Sequence, residues 1–233
     1  MLQSPAGGGT PHPADRGGLR PARLTVGVIS AGRVGTALGV ALERAEHVVV
    51  ACSAVSEESR RRVARWLPDT AVLPVDQVAG RAELLVLAVP DAELPALVAG
   101  LAATGAVRPN TIVAHTSGAN GIAVLSPLAE QGCITLAIHP AMTFAGTDED
   151  VDRLRGTCFG VTAADEIGYA IAQSLVLEVG GEPFRVREDA RTLYHAALFH
   201  QERVARTRTR QFCVDDLFGI AVGLADIVAR TLH

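Results

Sequence analysis

LTVGVISAGRVGTAL, residues 24–38, is the stretch that decides the fold. It opens on a β-branched apolar run of strand length and then carries Val34, Leu38 and, further on, Leu42 at helical spacing. Between the two lies a turn of small residues, Ser30-Ala31-Gly32-Arg33-Val34-Gly35, which follows the G-x-G-x-x-G pattern with serine in the first place. A strand that enters a helix through such a turn offers free backbone N–H groups and the positive end of a helix dipole at one point, which suits a diphosphate. Gly32 would then let the backbone approach the phosphates, and Gly35 would let the helix pack close to the strand. Glycines in such a connection also serve geometry alone, so the flanking pattern has to decide.

That pattern repeats the alternation. HVVVACS (47–53) predicts a second strand, and Ser56 predicts an N-cap for a helix through Trp66, with Glu57 and Glu58 in its first turn. A short strand is expected at 71–73, a doubly buried one at ELLVLAVP (83–90), a helix over 92–103, then strands at TIVAHTSG (111–118) and CITLAIHP (133–140). After Gly146 the texture changes to a charged stretch, a strand near 158–162, a helix over 165–179, a strand near 183–187 and a helix from Asp189 to His200. The expectation is an α/β protein: a Rossmann-type, doubly wound, mainly parallel sheet over 23–147. Residues 148–233 continue the sheet and end in a short, mostly helical part. Residues 1–22, rich in Gly, Pro and Ala, read as a disordered tail. A last helical stripe, Leu217, Ile220, Leu224, Ile227 and Val228, suggests a homodimer formed through the C-terminal helices.

Composition narrows the function classes. A hydrophobic content of 48% supports a sizeable core, and no apolar run reaches the ~18 residues that a membrane helix needs. The net charge of −4 gives no reason to expect nucleic acid. RVARTRTR (203–210) is densely basic but lacks interleaved aromatics and reads as a solvated linker. The expected setting is the cytoplasm. Cys52, Cys133, Cys158 and Cys213 stand far apart without ligand spacing, so no metal site is expected. The sequence contains no lysine, which excludes Schiff-base and lysine-acid mechanisms for this chain.

Chemistry is expected where strands end. An NAD site commonly places an acid after the second strand to bond the ribose 2′-hydroxyl. Here Ser53, Ala54, Val55 and Ser56 follow Cys52, with Arg60, Arg61 and Arg62 close behind. Hydroxyls beside a guanidinium suit a 2′-phosphate, so Ser53, Ser56 and Arg60 point to NADP; the other reading of the arginines is a solvated helix face. Ala88, Val89, Pro90 and Asp91 end the buried strand and are expected beside the ribose and nicotinamide, with Asp91 as a helix cap being the alternative. His115, supporting Thr116 and Ser117, ends the next strand, and His139 the one after. Two histidines reaching one crevice resemble an acid/base pair, although either alone is more often structural. Tyr194 and His195 are further candidates if their helix faces the crevice.

VGVISAGRVGTAL, the AVPD turn, AHTSG, IHPAMTF and LYHAALFH together resemble a bacterial family that joins a Rossmann-like domain to the domain of unknown function DUF2520. That family is related to NADP-dependent reductases acting on pyrroline-carboxylate, on ketopantoate or with F420. The resemblance covers about residues 24–200 and implies an NADP-binding fold with a helical C-terminal domain that often dimerises. It supplies no substrate. The chain departs from the family at Ser30 and again after Gln201, where QERVARTRTRQFC replaces an apolar, Asn-containing helix. The expectation there is a truncated C-terminal domain or an altered reading frame. Related reductases use a lysine in the C-terminal domain, and that mechanism does not transfer to a chain without one.

The combined expectation is an oxidoreductase moving a hydride between NADP(H) and a small carbonyl, hydroxyl or imine. Ser30, Ala31, Gly32, Arg33, Val34 and Gly35 would hold the diphosphate, and Ser117, His139 and His195 would serve as catalytic residues. A non-catalytic dinucleotide-binding module or sensor is the alternative.

Overall fold

The computed structural model describes residues 23–205, with side chains described through residue 198. The N-terminal tail, most of the basic run and the last helical stripe lie outside the described residues.

The first strand, β1 (Thr25–Ile29), is buried from Val26 onward. It turns into α1 (Arg33–Arg44), which lays Ala37, Leu38, Ala41 and Leu42 on the sheet at the expected spacing. Next come β2 (Val48–Cys52), α2 (Glu57–Trp66) and the two-residue β3 (Ala71–Val72). Ser56 caps α2, its Oγ accepting the Ser59 N–H at 3.0 Å. A helix absent from the sequence reading, α3 (Val75–Arg81), leads to β4 (Leu84–Leu87), buried at every position. Then follow α4 (Leu94–Thr104), β5 (Ile112–His115), a 3₁₀ turn at Ile122–Leu125, α5 (Ser126–Ala129) and β6 (Ile134–Pro140).

Strands run in the order β3-β2-β1-β4-β5-β6, all parallel, so the chain reverses its direction of winding between β1 and β4. That point is where open α/β sheets bind ligands. A further short helix not foreseen, α6 (Glu149–Arg153), precedes β7 (Cys158–Ala163), α7 (Glu166–Glu178) and β8 (Glu182–Arg185). The strand β7 pairs antiparallel with β6, and β8 runs parallel to β7, so one eight-stranded sheet continues past residue 147 without a break. A 3₁₀ turn at Glu188–Ala190 opens α8 (Arg191–Ala205).

Two apolar cores cover the two faces. One gathers Leu38, Leu42, Val63, Val151, Leu154 and Leu175, from α1, α2, α7 and the α6 segment. The other gathers Val78, Leu94, Val98, Leu101, Leu125 and Leu128, from α3, α4, the 3₁₀ turn and α5. Helices on both faces of a largely parallel sheet are the doubly wound architecture.

Candidate functional site

The turn after β1 is held from below. Ser30 donates its backbone N–H to Ser53 Oγ at 2.9 Å, and Ala31 donates to the Ser53 carbonyl at 2.8 Å. Ser53 is therefore buried and faces the turn; its hydroxyl shapes the loop instead of reaching toward a 2′-phosphate. Ser30 has φ 72°, the left-handed conformation that the first glycine of the pattern reaches freely. The two glycines divide their tasks. A Cβ on Gly35 would stand 2.2 Å from the Ser30 carbonyl oxygen, so no side chain fits, whereas a Cβ on Gly32 would meet only Ser30 Oγ at 3.7 Å. Gly32 thus leaves open space above the turn, and α1 starts there with no side-chain cap. The first N–H groups of an uncapped helix lack intrahelical acceptors and point outward.

Arginines surround this terminus. Arg33 donates to the Phe144 carbonyl at 3.2 Å, and the Phe144–Thr147 loop is fixed in turn by the buried Asp150, which accepts N–H bonds from Ala145, Gly146 and Thr147. On α2, Arg61 and Arg62 pair with Glu57 and Glu58, and Arg65 pairs with Asp148. Arg60 is exposed and makes no ion pair among the described residues. Between Cys52 and Ser56 there is no acid, and Val55 stands 88% exposed. Past β4, Ala88 donates to the Ile29 carbonyl, which ties this turn to β1, and Asp91 offers its carbonyl to Asn120 Nδ2 at 3.4 Å. Since α4 begins only at Leu94, Asp91 does not cap it.

The second half of the site gathers at the ends of β5 and β6. His115 is fully buried; its Nδ1 accepts the Ser117 N–H at 3.2 Å and its Nε2 lies 2.9 Å from the Gly121 carbonyl. An accepting Nδ1 places the ring hydrogen on Nε2, so His115 is neutral and both nitrogens serve the 116–121 loop. Burial pulls its pKa down to about 4. In the same loop Ser117 Oγ accepts from the Asn120 N–H at 3.0 Å and from Asn120 Nδ2 at 2.9 Å. Glu188 closes the loop from outside by accepting the Ile122 and Ala123 N–H groups.

His139 Nδ1 lies 2.7 Å from the Tyr194 hydroxyl, so the LYHAALFH helix does face β6. Burial, followed by the neighbouring Arg191 charge, lowers the His139 pKa to about 3, and burial raises that of Tyr194. Tyr194 packs over Gly160, where a Cβ would stand 2.7 Å from its hydroxyl. Behind this pair lies Arg191, only 2% exposed. Its guanidinium donates to Thr162 Oγ1 at 2.8 Å and to the carbonyls of Ser117, Ala137 and Gly160 at 3.4, 3.2 and 3.0 Å. One side chain thereby ties the β5 loop, β6 and β7 to the start of α8. His195, one residue past Tyr194, points its Nδ1 at Gly118 together with His139 Nε2. Sequence reading missed Arg191, Glu188, Asn120 and Gly118. An arginine in a helical segment signals solvent by default, and the only hint for Gly118 was its place beside Ser117.

Among the described residues no group of three potential ligands for a metal ion occurs, and no helix is long and apolar enough to cross a membrane. The sequence matches the family profile of the Rossmann-like domain over residues 10–140 and that of the domain of unknown function DUF2520 over residues 157–206. No protein of curated function matches it. Among solved structures, similarity extends to a Bacteroides fragilis protein designated an NADP oxidoreductase, with TM-score 0.64, 18% identity and coverage of 91% of this chain and 81% of that one. Prephenate dehydrogenase of A. aeolicus, in complex with hydroxyphenyl propionate and NAD+, aligns with TM-score 0.62, 14% identity and coverage of 86% and 78%. A pyrroline-5-carboxylate reductase of Coxiella burnetii aligns with TM-score 0.60, 13% identity and coverage of 90% and 79%. At such identities the likeness is one of fold.

Proposed function

From the premise that the chain belongs to the Rossmann-like domain family and carries a DUF2520 segment behind it, we propose that it is an NADP(H)-dependent oxidoreductase acting on a small carbonyl, hydroxyl or imine substrate. The observation that carries the reading is the uncapped start of α1 beside the open face of Gly32, set where the winding of the sheet reverses. A diphosphate there receives the outward N–H groups of Arg33, Val34 and Gly35, with the Arg33 guanidinium in reach of a phosphate oxygen. Preference for the phosphorylated dinucleotide rests on the lack of an acid after β2 and on Arg60, one turn into α2 and without an ion pair among the described residues, with Ser56 at the same loop. Val55 offers its exposed methyls to the adenine.

When bound, the reduced cofactor supplies a hydride with its electron pair. Ala88, Val89 and Pro90 flank the ribose on this reading, and His115 holds the Ser117 loop in shape without exchanging protons near neutral pH. His139 and His195 line the reacting end. A non-catalytic sensor is the second reading, favoured by the low pKa of both buried histidines; it predicts bound NADPH that no carbonyl or imine oxidises.

The test compares the affinities for NADPH and NADH by fluorescence titration. Loss of a charge-assisted phosphate contact weakens binding by about tenfold or more, so Arg60→Ala is expected to lower NADPH affinity by that factor and leave NADH unchanged. Equal loss for both cofactors, or no loss for either, removes the 2′-phosphate assignment.

A further inference from the structure

The segment between β6 and β7 lies across both α1 and α2. Asp152 accepts from Arg44 of α1 at 2.7 Å, and Asp148 accepts from Arg65 of α2 at 2.9 Å. Phe144, Val151 and Leu154 sink into the apolar core beneath. Within this strap Asp150, only 1% exposed, accepts the N–H groups of Ala145, Gly146 and Thr147 at 3.1, 2.6 and 3.3 Å. A carboxylate taken out of water and turned onto three amides fixes the backbone of a loop that is otherwise largely exposed.

The loop so fixed carries one side chain of the candidate cofactor site. Arg33, the first residue of α1, donates from Nη1 to the Phe144 carbonyl at 3.2 Å. Gly146 has φ 84°, and a Cβ on it would stand 2.9 Å from Arg33 Cγ and 3.1 Å from Arg33 Cδ. The Arg33 stem therefore lies against the loop backbone, and a residue larger than glycine at position 146 would push it away. This arrangement holds the side chain without neutralising it. A carbonyl is an uncharged acceptor and takes up one of the five guanidinium N–H groups. Arg44, Arg62 and Arg65 each face a carboxylate, whereas Arg33 makes no ion pair among the described residues. It is exposed beside the uncapped start of α1.

We propose that the Phe144–Thr147 loop is a wall of the dinucleotide site that presets Arg33 for the cofactor's diphosphate, with Asp150 and Gly146 as positioning residues. The proposal rests on the oxidoreductase reading and deepens it. An arginine free in solvent gives up rotamer freedom when it clamps a phosphate, and a stem already laid along a rigid loop has less to lose. The acids of the strap do not oppose this task, since Asp148 and Asp152 face Arg65 and Arg44, and Asp150 is turned onto the loop amides.

The test is a double-mutant cycle on the full chain, read by calorimetric titration with NADPH and with NADH. Arg33→Ala is expected to weaken both by about tenfold, because the diphosphate is common to them. Asp150→Asn leaves one acceptor oxygen for three amides and is expected to weaken both by about threefold to tenfold while Arg33 is present. In the Arg33→Ala background the same change is expected to move the affinities by less than about twofold. Gly146→Ala displaces the Arg33 stem directly, is expected to follow the same pattern, and completes the cycle should Asp150→Asn fail to fold. A role in folding alone would weaken binding by equal factors in both backgrounds. That result, or an Arg33→Ala loss that is absent or limited to NADPH, overturns the assignment and leaves the cofactor reading standing. Absence of binding in the wild type removes the cofactor reading and the role of the loop with it.

Discussion

Ser30 holds φ at 72° in the place where the dinucleotide pattern calls for glycine. A side chain in the left-handed region costs about 1–2 kcal/mol, and the surroundings enforce it here through the bond from the Ser30 N–H to Ser53 Oγ. Ser30→Gly relieves that strain and adds some chain entropy to the unfolded state, so the net expected gain is about 1 kcal/mol, read as a higher urea midpoint at an unchanged slope. A lower midpoint would mean that the serine side chain contributes contacts outweighing the strain. The turn itself was legible in the sequence because Gly32 and Gly35 keep their spacing. The inward orientation of Ser53 was not legible, since a hydroxyl at a strand end looks the same whether it faces a ligand or the neighbouring loop.

At the scale of elements, the helix starts were the most readable features. Ser56 followed by two acids announces α2, and the structure places the cap where the residues indicate. The short α3 and α6 escaped because seven and five residues carry too little periodicity to register. The direction of β7 escaped for another reason: local sequence encodes that a segment is a strand but not which way it runs beside its neighbour. The start of α8 rests on Arg191, whose buried guanidinium makes no ion pair among the described residues and is held by three carbonyls and one hydroxyl. Arg191→Leu leaves those acceptors buried and unpaired, and each such group costs about 1–3 kcal/mol. The expected loss of stability is at least about 3 kcal/mol, together with faster hydrogen exchange in the 116–121 loop and in α8. A loss confined to α8, with the loop still protected, would show that Arg191 does not couple the two.

Across the whole molecule, the β–α alternation and the five motif segments located the sheet and the turns at the ends of its strands. The cluster of His115, His139, Arg191 and Tyr194 was only partly visible, because it is assembled from residues far apart in the chain whose roles depend on burial. Burial also predicts how the folded state responds to acid. Unfolded imidazoles titrate near about 6.5, whereas His115 and His139 are held down to about 4 and about 3. Between these values the unfolded chain binds more protons, so the contribution of both histidines is complete above about pH 6.5 and is lost as pH falls toward the folded values. Each histidine accounts for about 1.4 kcal/mol per pH unit across that window. Urea unfolding at about pH 7.5 and about pH 5 is expected to show the acidic sample markedly weaker, and His115→Gln is expected to flatten the difference. Equal midpoints at the two pH values would show that the buried rings take up protons freely in the folded state.

The central claim is that the β1–α1 turn binds a nicotinamide dinucleotide and prefers the phosphorylated one. Calorimetric titration of the full chain with NADPH, set beside NADH, tests it most directly. The account predicts one site per chain, micromolar affinity on the order of −8 kcal/mol for NADPH, and clearly weaker binding of NADH. Absence of heat and of saturation with either dinucleotide would contradict it.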